Sequence, residues 1–269
     1  MTSGARGWVG QLGPAGFVLA GLIVAAALAP WIAPYAPDTL DLAHRREMPS
    51  LAHWFGTDDL GRDLFSRVLY GARVSLAVGL LSAVVAAVIG VGVGAASGLA
   101  GGTVDALLMR MTDAALAVPR LLLLMVASAV LAPSIPVLVV LVGLVGWMEA
   151  ARVTRASFLA TRDREFVLAA RAAGASAPRL VTAHLLPTAA PDVAVAGTLA
   201  VGRGILLESA LSFFGIGVQP PAASWGNMLY QAQSTLSTEP WLALFPGALI
   251  FLTVAATNAL GDRVTRSRA

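Results

Sequence analysis

Five charged residues stand in or beside long apolar runs: Arg110, Asp113, Arg120, Arg203 and Glu208. A charge at the centre of a bilayer helix costs about 2.5–3.5 kcal/mol on insertion scales, so such residues face protein or water. Two chemistries suit them: a polar path for a solute, or structural pairing inside a helix bundle. Arg110 and Asp113 lie three apart on one helical face, which favours a local pair. Arg120 follows Pro119 and lies deepest, so Arg120 and Glu208 are the candidates for a translocation path. Arg203 is five residues from Glu208, a poor spacing for a pair on one helix.

Other chemistries are harder to build. Asp58, Asp59 and Asp63 resemble an acidic cluster, but no histidine stands at helical spacing among them, and His53 precedes a turn. A solvated, capped helix after Thr57 is expected there, with no metal. His44, His53 and His184 are the only histidines, and none falls in a span. There is no G-x-S-x-G and no H-E-x-x-H. With no cysteine, disulfides and thiolate chemistry are excluded. All 18 basic residues are arginine, so the lysine that a P-loop needs to reach terminal phosphates is missing. An intramembrane enzyme is therefore disfavoured, and any ATP-driven work needs a partner.

The elements that must position these residues are membrane helices. Of 269 residues, 57% are hydrophobic and only 12% charged, about half the charge of a soluble domain. Mean hydropathy is +0.78. Six runs are long enough to span a bilayer: Pro14–Ala33, Val74–Leu99, Ala106–Leu131, Ile135–Ala151, Ala189–Phe214 and Trp241–Leu260. The first is read as a retained anchor, although Ala27-Leu28-Ala29 resembles a signal-cleavage site. The isoelectric point near 10.1 raises the question of nucleic acid. The arginines are not gathered on a soluble domain, and membrane orientation accounts for them.

With the N-terminus in the cytoplasm, the inside segments hold eleven arginines (Arg6, Arg110, six from Arg152 to Arg179, Arg263, Arg266 and Arg268) against five outside. Both termini are thus expected in the cytoplasm. The predicted division is a cytoplasmic start at 1–13, a first span at 14–33, an external loop with an amphipathic segment at 34–73, a five-helix core at 74–262 and a cytoplasmic tail at 263–269. The glycines between Gly90 and Gly102 predict close helix packing. Trp225 and Trp241 suit an interfacial belt.

Between the fourth and fifth spans, 152–187 is polar and punctuated. Asp163 is placed to cap a helix from Arg164 to Ala173, Gly174 to end it in a left-handed turn, and Ser176 to cap a second helix with Pro178 in its first turn. Pro187 marks the step to the next span. Ala169, Ala170, Ala172 and Ala173 permit close approach. The residues alone leave two readings open, a well-capped connector or a docking helix.

Leu168-Ala169-Ala170, Gly174 and Leu186-Pro187 resemble, in spacing throughout, the cytoplasmic E-A-A loop of ABC importer permeases. Leu168 stands where that pattern has glutamate, and His184 where it has isoleucine. His53–Asp63, Tyr70–Arg73, Arg110–Asp113, Leu207–Phe213, Gly217–Pro221, Ser224–Gly226, Pro240–Gly247 and Asn258–Asp262 are similar to the dipeptide and oligopeptide type, C-subunit branch. The resemblance covers about residues 53–262.

It implies an all-α polytopic permease of the type I ABC importer fold, with six transmembrane helices and a cytoplasmic coupling hairpin, in the bacterial inner membrane. It implies a homologous second permease, two ATPase subunits carrying ATP and magnesium, an extracytoplasmic solute-binding protein, surrounding lipid and no nucleic acid. Leu168, Ala169, Ala170, Arg171 and Gly174 would meet an ATPase, Leu186 and Pro187 would join the hairpin to the next span, and Trp225 would touch the binding protein. This chain would bind no cofactor itself. The solute would be a dipeptide or oligopeptide, or else nickel or another small solute. A stand-alone secondary transporter is the rival class; it often carries an internal repeat, and none is evident.

Overall fold

The structure, a computed structural model, describes residues 4–266, with side chains from Gly13 onward. Arg6 and Arg268, both counted above among the inside arginines, lie outside the described side chains.

Helix α1 (Gly4–Ala27) breaks at Gly13, where φ is 53°, and its apolar part is Gly13–Ala27. The expected first span does not run unbroken to Ala33. Leu28 leaves helical geometry (φ −83°, ψ 2°), and the short α2 (Ala29–Ile32) follows with Pro30 in its first turn. A long loop leads to α3 (Leu64–Ala100), capped by Asp63, whose carboxylate accepts from the Ser66 N–H at 2.8 Å. Residues 64–73, assigned above to the loop, are thus the first turns of a 37-residue helix.

The third and fourth spans are both broken. α4 (Gly102–Ala117) and α5 (Arg120–Val130) are bent by 82°. Pro119 forces Val118 into an extended conformation (φ −81°, ψ 128°), which ends the helix there. α6 (Ile135–Leu144), capped by Ser134, and α7 (Trp147–Thr161) are bent by 43° around Val145-Gly146. A helical hairpin of α8 (Glu165–Ala172) and α9 (Ala177–Leu180) passes through a widened π turn, Val181–Leu185, into α10 (Leu186–Phe213). α11 (Trp225–Ala232) is short, and α12 (Trp241–Arg266) carries helix into the expected tail. Among the described residues, α3, the α9–α10 stretch and α12 can each cross a membrane by length and composition, and the number rises to five if each bent pair is one span.

Hydrocarbon tails are as apolar as leucine, so helices in lipid associate through packing of small residues. A Cβ added to Gly90, Gly94 or Gly98 of α3 would meet Ala150 at 2.5 Å, the Ala151 carbonyl at 2.4 Å or Phe158 Cβ at 2.7 Å. The glycine-rich run is therefore the α3–α7 seam, as its spacing predicts. Gly204 of α10 lies against Gly79 and Ser82, and Gly202 against Thr257 of α12. The main apolar cluster includes Val78, Leu124, Leu138, Val142, Met148 and Leu211.

The ends of the bundle differ. Gly13 lies against Arg263, and Asp192 near the start of α10 lines one cavity with Thr265 near the end of α12. The beginning of the first span, the end of α12 and the hairpin therefore share one end. Arg46 approaches Glu239 (3.8 Å) and Arg62 donates to Gln231 (3.3 Å), which puts the long loop and α11 at the other.

Gly94→Val is expected to push α3 from α7 and to cost about 1–3 kcal/mol, the usual range for overpacking. Thermal unfolding of the purified protein in detergent measures this. Gly92→Val, where an added Cβ meets nothing within 4 Å, is the control and should change little.

Candidate functional site

The hairpin is built as a rigid turn. α7 ends with the Arg162 N–H on the Phe158 carbonyl at 2.8 Å, and the Arg162 guanidinium donates to the Gly98 carbonyl of α3 at 3.2 Å. Asp163 does not cap α8. Its carboxylate is mostly exposed and lies 3.5 Å from Arg162, and the residue at the cap position, Arg164, makes no side-chain cap bond. The attraction of the adjacent guanidinium replaces the expected cap. At the far end, Gly174 has φ 83°, its N–H bonds the Arg171 carbonyl, and the Ala175 N–H bonds the Ala170 carbonyl, both at 3.0 Å. This pair of bonds is the Schellman closure that a left-handed glycine permits.

One face of the hairpin is mounted on the bundle. Phe158, Val167, Leu180, Leu185 and Ala189 form a buried cluster, with Ala170, Ala175 and Leu186 packed against it. The other face is bare: Phe166 and Leu168 are 44% and 45% exposed, and Ala169, Arg171 and Gly174 are exposed beside them. Two expectations change. Ala170 faces its own chain, and an added Cβ on Gly174 meets nothing within 4 Å, so glycine is required there by φ and not by close packing inside this chain. Ser176 starts α9 as expected, but through its carbonyl, which accepts the Leu180 N–H at 2.9 Å; its hydroxyl makes no cap bond.

Pro187 lacks an N–H and would crowd the carbonyl four residues back in a regular helix. That carbonyl, on Ala183, belongs to the π turn. The Thr188 hydroxyl donates to the Leu185 and His184 carbonyls at 2.8 and 3.3 Å. The chain therefore continues into α10 without a stop.

Inside the bundle, Arg120 at the start of α5 donates to Glu149 of α7 at 2.7 Å, and Arg203 of α10 pairs with the other oxygen of the same carboxylate. The predicted Arg110–Asp113 pair is not what forms. Asp113 accepts from Arg152 of α7 at 2.5 Å, and Asp105 is held by Nε and Nη2 of Arg155 at 2.5 and 2.6 Å. Partners on a neighbouring helix win because they lie closer than those one turn away.

Glu208 is fully buried and stands apart from Arg203. It accepts from the hydroxyls of Ser75 (3.0 Å), Ser212 (2.8 Å) and Ser209 (3.4 Å). Ser75 Oγ accepts the Trp225 N–H at 3.1 Å, and Ser212 Oγ accepts the Val218 N–H at 3.0 Å. Because these oxygens receive backbone protons, their own hydrogens point to the carboxylate. Glu208 is thus a buried tie between α3, α10 and the segment 215–225. Trp225 is 0% exposed, with its indole N–H on the Val68 carbonyl at 3.1 Å. It is a buried anchor, without the exposed surface that contact with another protein would need; Trp241 is half-buried, against Gly56.

The expected solvated helix after Thr57 is instead a buried buckle. Asp58 accepts from the Leu60 and Arg62 N–H groups and from Arg62 Nε at 2.7 Å. Asp63 takes Ser66 and His53. Residues missed by the sequence reading include Glu149 and Asp105. Helical spacing would pair Glu149 with Arg152, and no signal along the chain identifies the cross-helix arginines.

Residues 89–268 match the family model of the binding-protein-dependent transport system inner membrane component, and residues 15–49 match that of the N-terminal transmembrane domain of oligopeptide transport permease C. A protein of Brucella suis biovar 1 that carries the name peptide permease is 43% identical over 234 residues, 86% of this chain and 77% of that protein. Proteins of Shigella flexneri serotype 5b and Escherichia coli named glutathione transport system permease are 44% and 42% identical over 242 residues, 90% of this chain and 80% of each.

Glu208→Ala removes the acceptor of three hydroxyls, at about 1–3 kcal/mol for buried groups left unpaired. The expected outcome is a lower unfolding temperature and faster hydrogen exchange across 215–232, with Glu208→Gln intermediate. Exchange spread evenly over the chain would contradict the tie.

Proposed function

The chain belongs to the binding-protein-dependent transport inner membrane component family, and from that premise we propose that it is the permease subunit of an ATP-driven importer of dipeptides or oligopeptides. A homologous permease completes the pathway. A solute-binding protein delivers the solute from outside, and two ATPase subunits bind ATP and magnesium. This chain binds no nucleotide and spans the bacterial cytoplasmic membrane with both termini inside. The names of the relatives support the solute class: one is called a peptide permease, and glutathione, named in the others, is itself a small peptide.

The observation that carries the coupling role is the hairpin, half mounted and half bare. Its exposed apolar residues Phe166 and Leu168, with Ala169 and Arg171 alongside, are suited to lie in a groove on an ATPase. Ala170 and Leu186 hold the mount, Gly174 sets the turn, and Pro187 sits where the hairpin enters α10. At the opposite end, the binding-protein contact assigned above to Trp225 passes to the long loop, where Met48, Leu51 and Trp54 are 68%, 98% and 57% exposed.

Two experiments test this. The chain has no cysteine, so Ala173→Cys gives a single thiol; a membrane-impermeant maleimide should label it in inside-out vesicles and not in intact cells. Labelling of intact cells would reverse the orientation and remove the ATPase contact. Gly174→Val places a β-branched residue at positive φ, at about 1–3 kcal/mol of backbone strain. ATP-driven peptide uptake by the assembled complex should fall at least about tenfold, with normal uptake at normal assembly counting against the coupling role.

A further inference from the structure

We propose that Arg120 and Arg203 form a carboxylate-binding station on the solute path, with Glu149 holding both guanidinium groups until the solute's own carboxylate arrives. The inference rests on the peptide-import reading and names the group of the peptide that is recognised within the membrane.

Three observations converge. First, charge is unmatched at this point. One carboxylate of α7 serves two arginines, brought from α5 and α10, whereas Asp105–Arg155 and Asp113–Arg152 pair one to one. Asp192, the other acid lining the adjoining cavity, lies eleven residues before Arg203, about 16 Å along a helix, and accepts from Ser157 at 2.6 Å. Second, the group is open. The side chains of Arg120, Glu149 and Arg203 are 24%, 31% and 39% exposed. Arg203 and Glu149 line both a small cleft with Ser82, Gly146 and Arg120 and a cavity of about 570 Å³ with Val153, Leu199 and Thr265. Third, a guanidinium carries five N–H donors in a fork that fits a carboxylate two-pronged, and Arg120 stands at the start of the half-helix α5, whose N-terminal end adds partial positive charge.

A second carboxylate converts an Arg–Glu–Arg group with one surplus positive charge into two matched pairs. No lone charge is created in the bilayer on arrival, and Glu149 recloses the group on release. Arg203 rides on α10, which is continuous with the hairpin through the π turn. Movement of the hairpin therefore shifts Arg203 relative to Arg120 and Glu149 and changes how tightly the station holds.

The test uses the full complex in proteoliposomes, supplied with saturating binding protein. It compares uptake of a peptide with that of the same peptide amidated at its C-terminus, each corrected for its measured affinity for the binding protein. Wild type should favour the free acid. Arg203→Gln should slow the free acid about tenfold, the worth of a charge-assisted bond, and leave the amide nearly unchanged; Arg203→Lys should restore part of the difference. Arg120→Gln should act likewise. A wild type without acid preference, or acid and amide slowed alike in assembled variants, overturns the station and leaves peptide import standing. A wild-type complex that carries neither peptide overturns both.

Discussion

A stripe of small residues along α3 is the constraint on which the rest of the bundle depends. Gly71, Ser75, Gly79, Ser82, Ala86, Gly90, Gly94 and Gly98 recur every three or four residues and so share one face. Each is where another element comes close. Gly71 lies under Ser224, Gly79 under Ile205 and Ser82 under Gly204, while Ala86 faces Gly146 and the last three glycines face α7. Without a hydrophobic drive between helices in lipid, this proximity is the source of dispersion contact. It also sets the reach of every polar bond: Ser75 touches both Glu208 and Trp225 only because nothing larger stands beside it.

Close approach in turn decides the charge partners. A carboxylate in the bilayer needs donors within about 3 Å, and for Asp105, Asp113 and Glu149 the arginines that supply them are on facing helices, not a turn away. Asp105 of α4 takes Arg155 of α7, and Asp113 takes Arg152, so two ion pairs lace α4 to α7. Glu208 takes hydroxyls, which supply hydrogen bonds without a countercharge and fix the segment 215–225 over the bundle. Glu149 of α7 draws two arginines, one from α5 and one from α10. The same rule therefore separates the one-to-one pairs of α4 and α7 from a group with one more arginine than carboxylate.

Much of the architecture was legible in the sequence because it is local. Apolar run length located the spans, Gly174 the left-handed turn, and the glycine spacing the α3–α7 seam. The misses share a cause. Asp163 looked like a cap and Arg110 looked like Asp113's partner because one-dimensional spacing ranks near neighbours first. Trp225 looked interfacial because tryptophan commonly is; its burial depends on Gly71 and Val68, which precede it by more than 150 residues. Asp58 and Asp63 looked solvated because the loop fold that buries them is set by Arg62, Arg67 and His53 together. Glu149 was invisible because its arginines arrive from two other helices.

A lever has to be stiff along its length and yield at its ends, and on the coupling reading the hairpin meets both demands. Its turn is closed by two backbone bonds at Gly174 and its inner face is fixed by Val167, Leu180 and Leu185, so pressure on Leu168 or Arg171 moves the unit whole. It is attached at two places. Arg162 ties the end of α7 to the end of α3, which the glycine seam already joins over its length. The other attachment is the π turn before Pro187, where helical hydrogen bonding is loosest and bending is cheapest. Force from below is thus resisted at α3–α7 and admitted at α10. Since α10 bears Arg203 while Glu149 belongs to α7, the motion falls on the contact between them, and on that reading force from a partner is brought to bear on the Arg–Glu–Arg group.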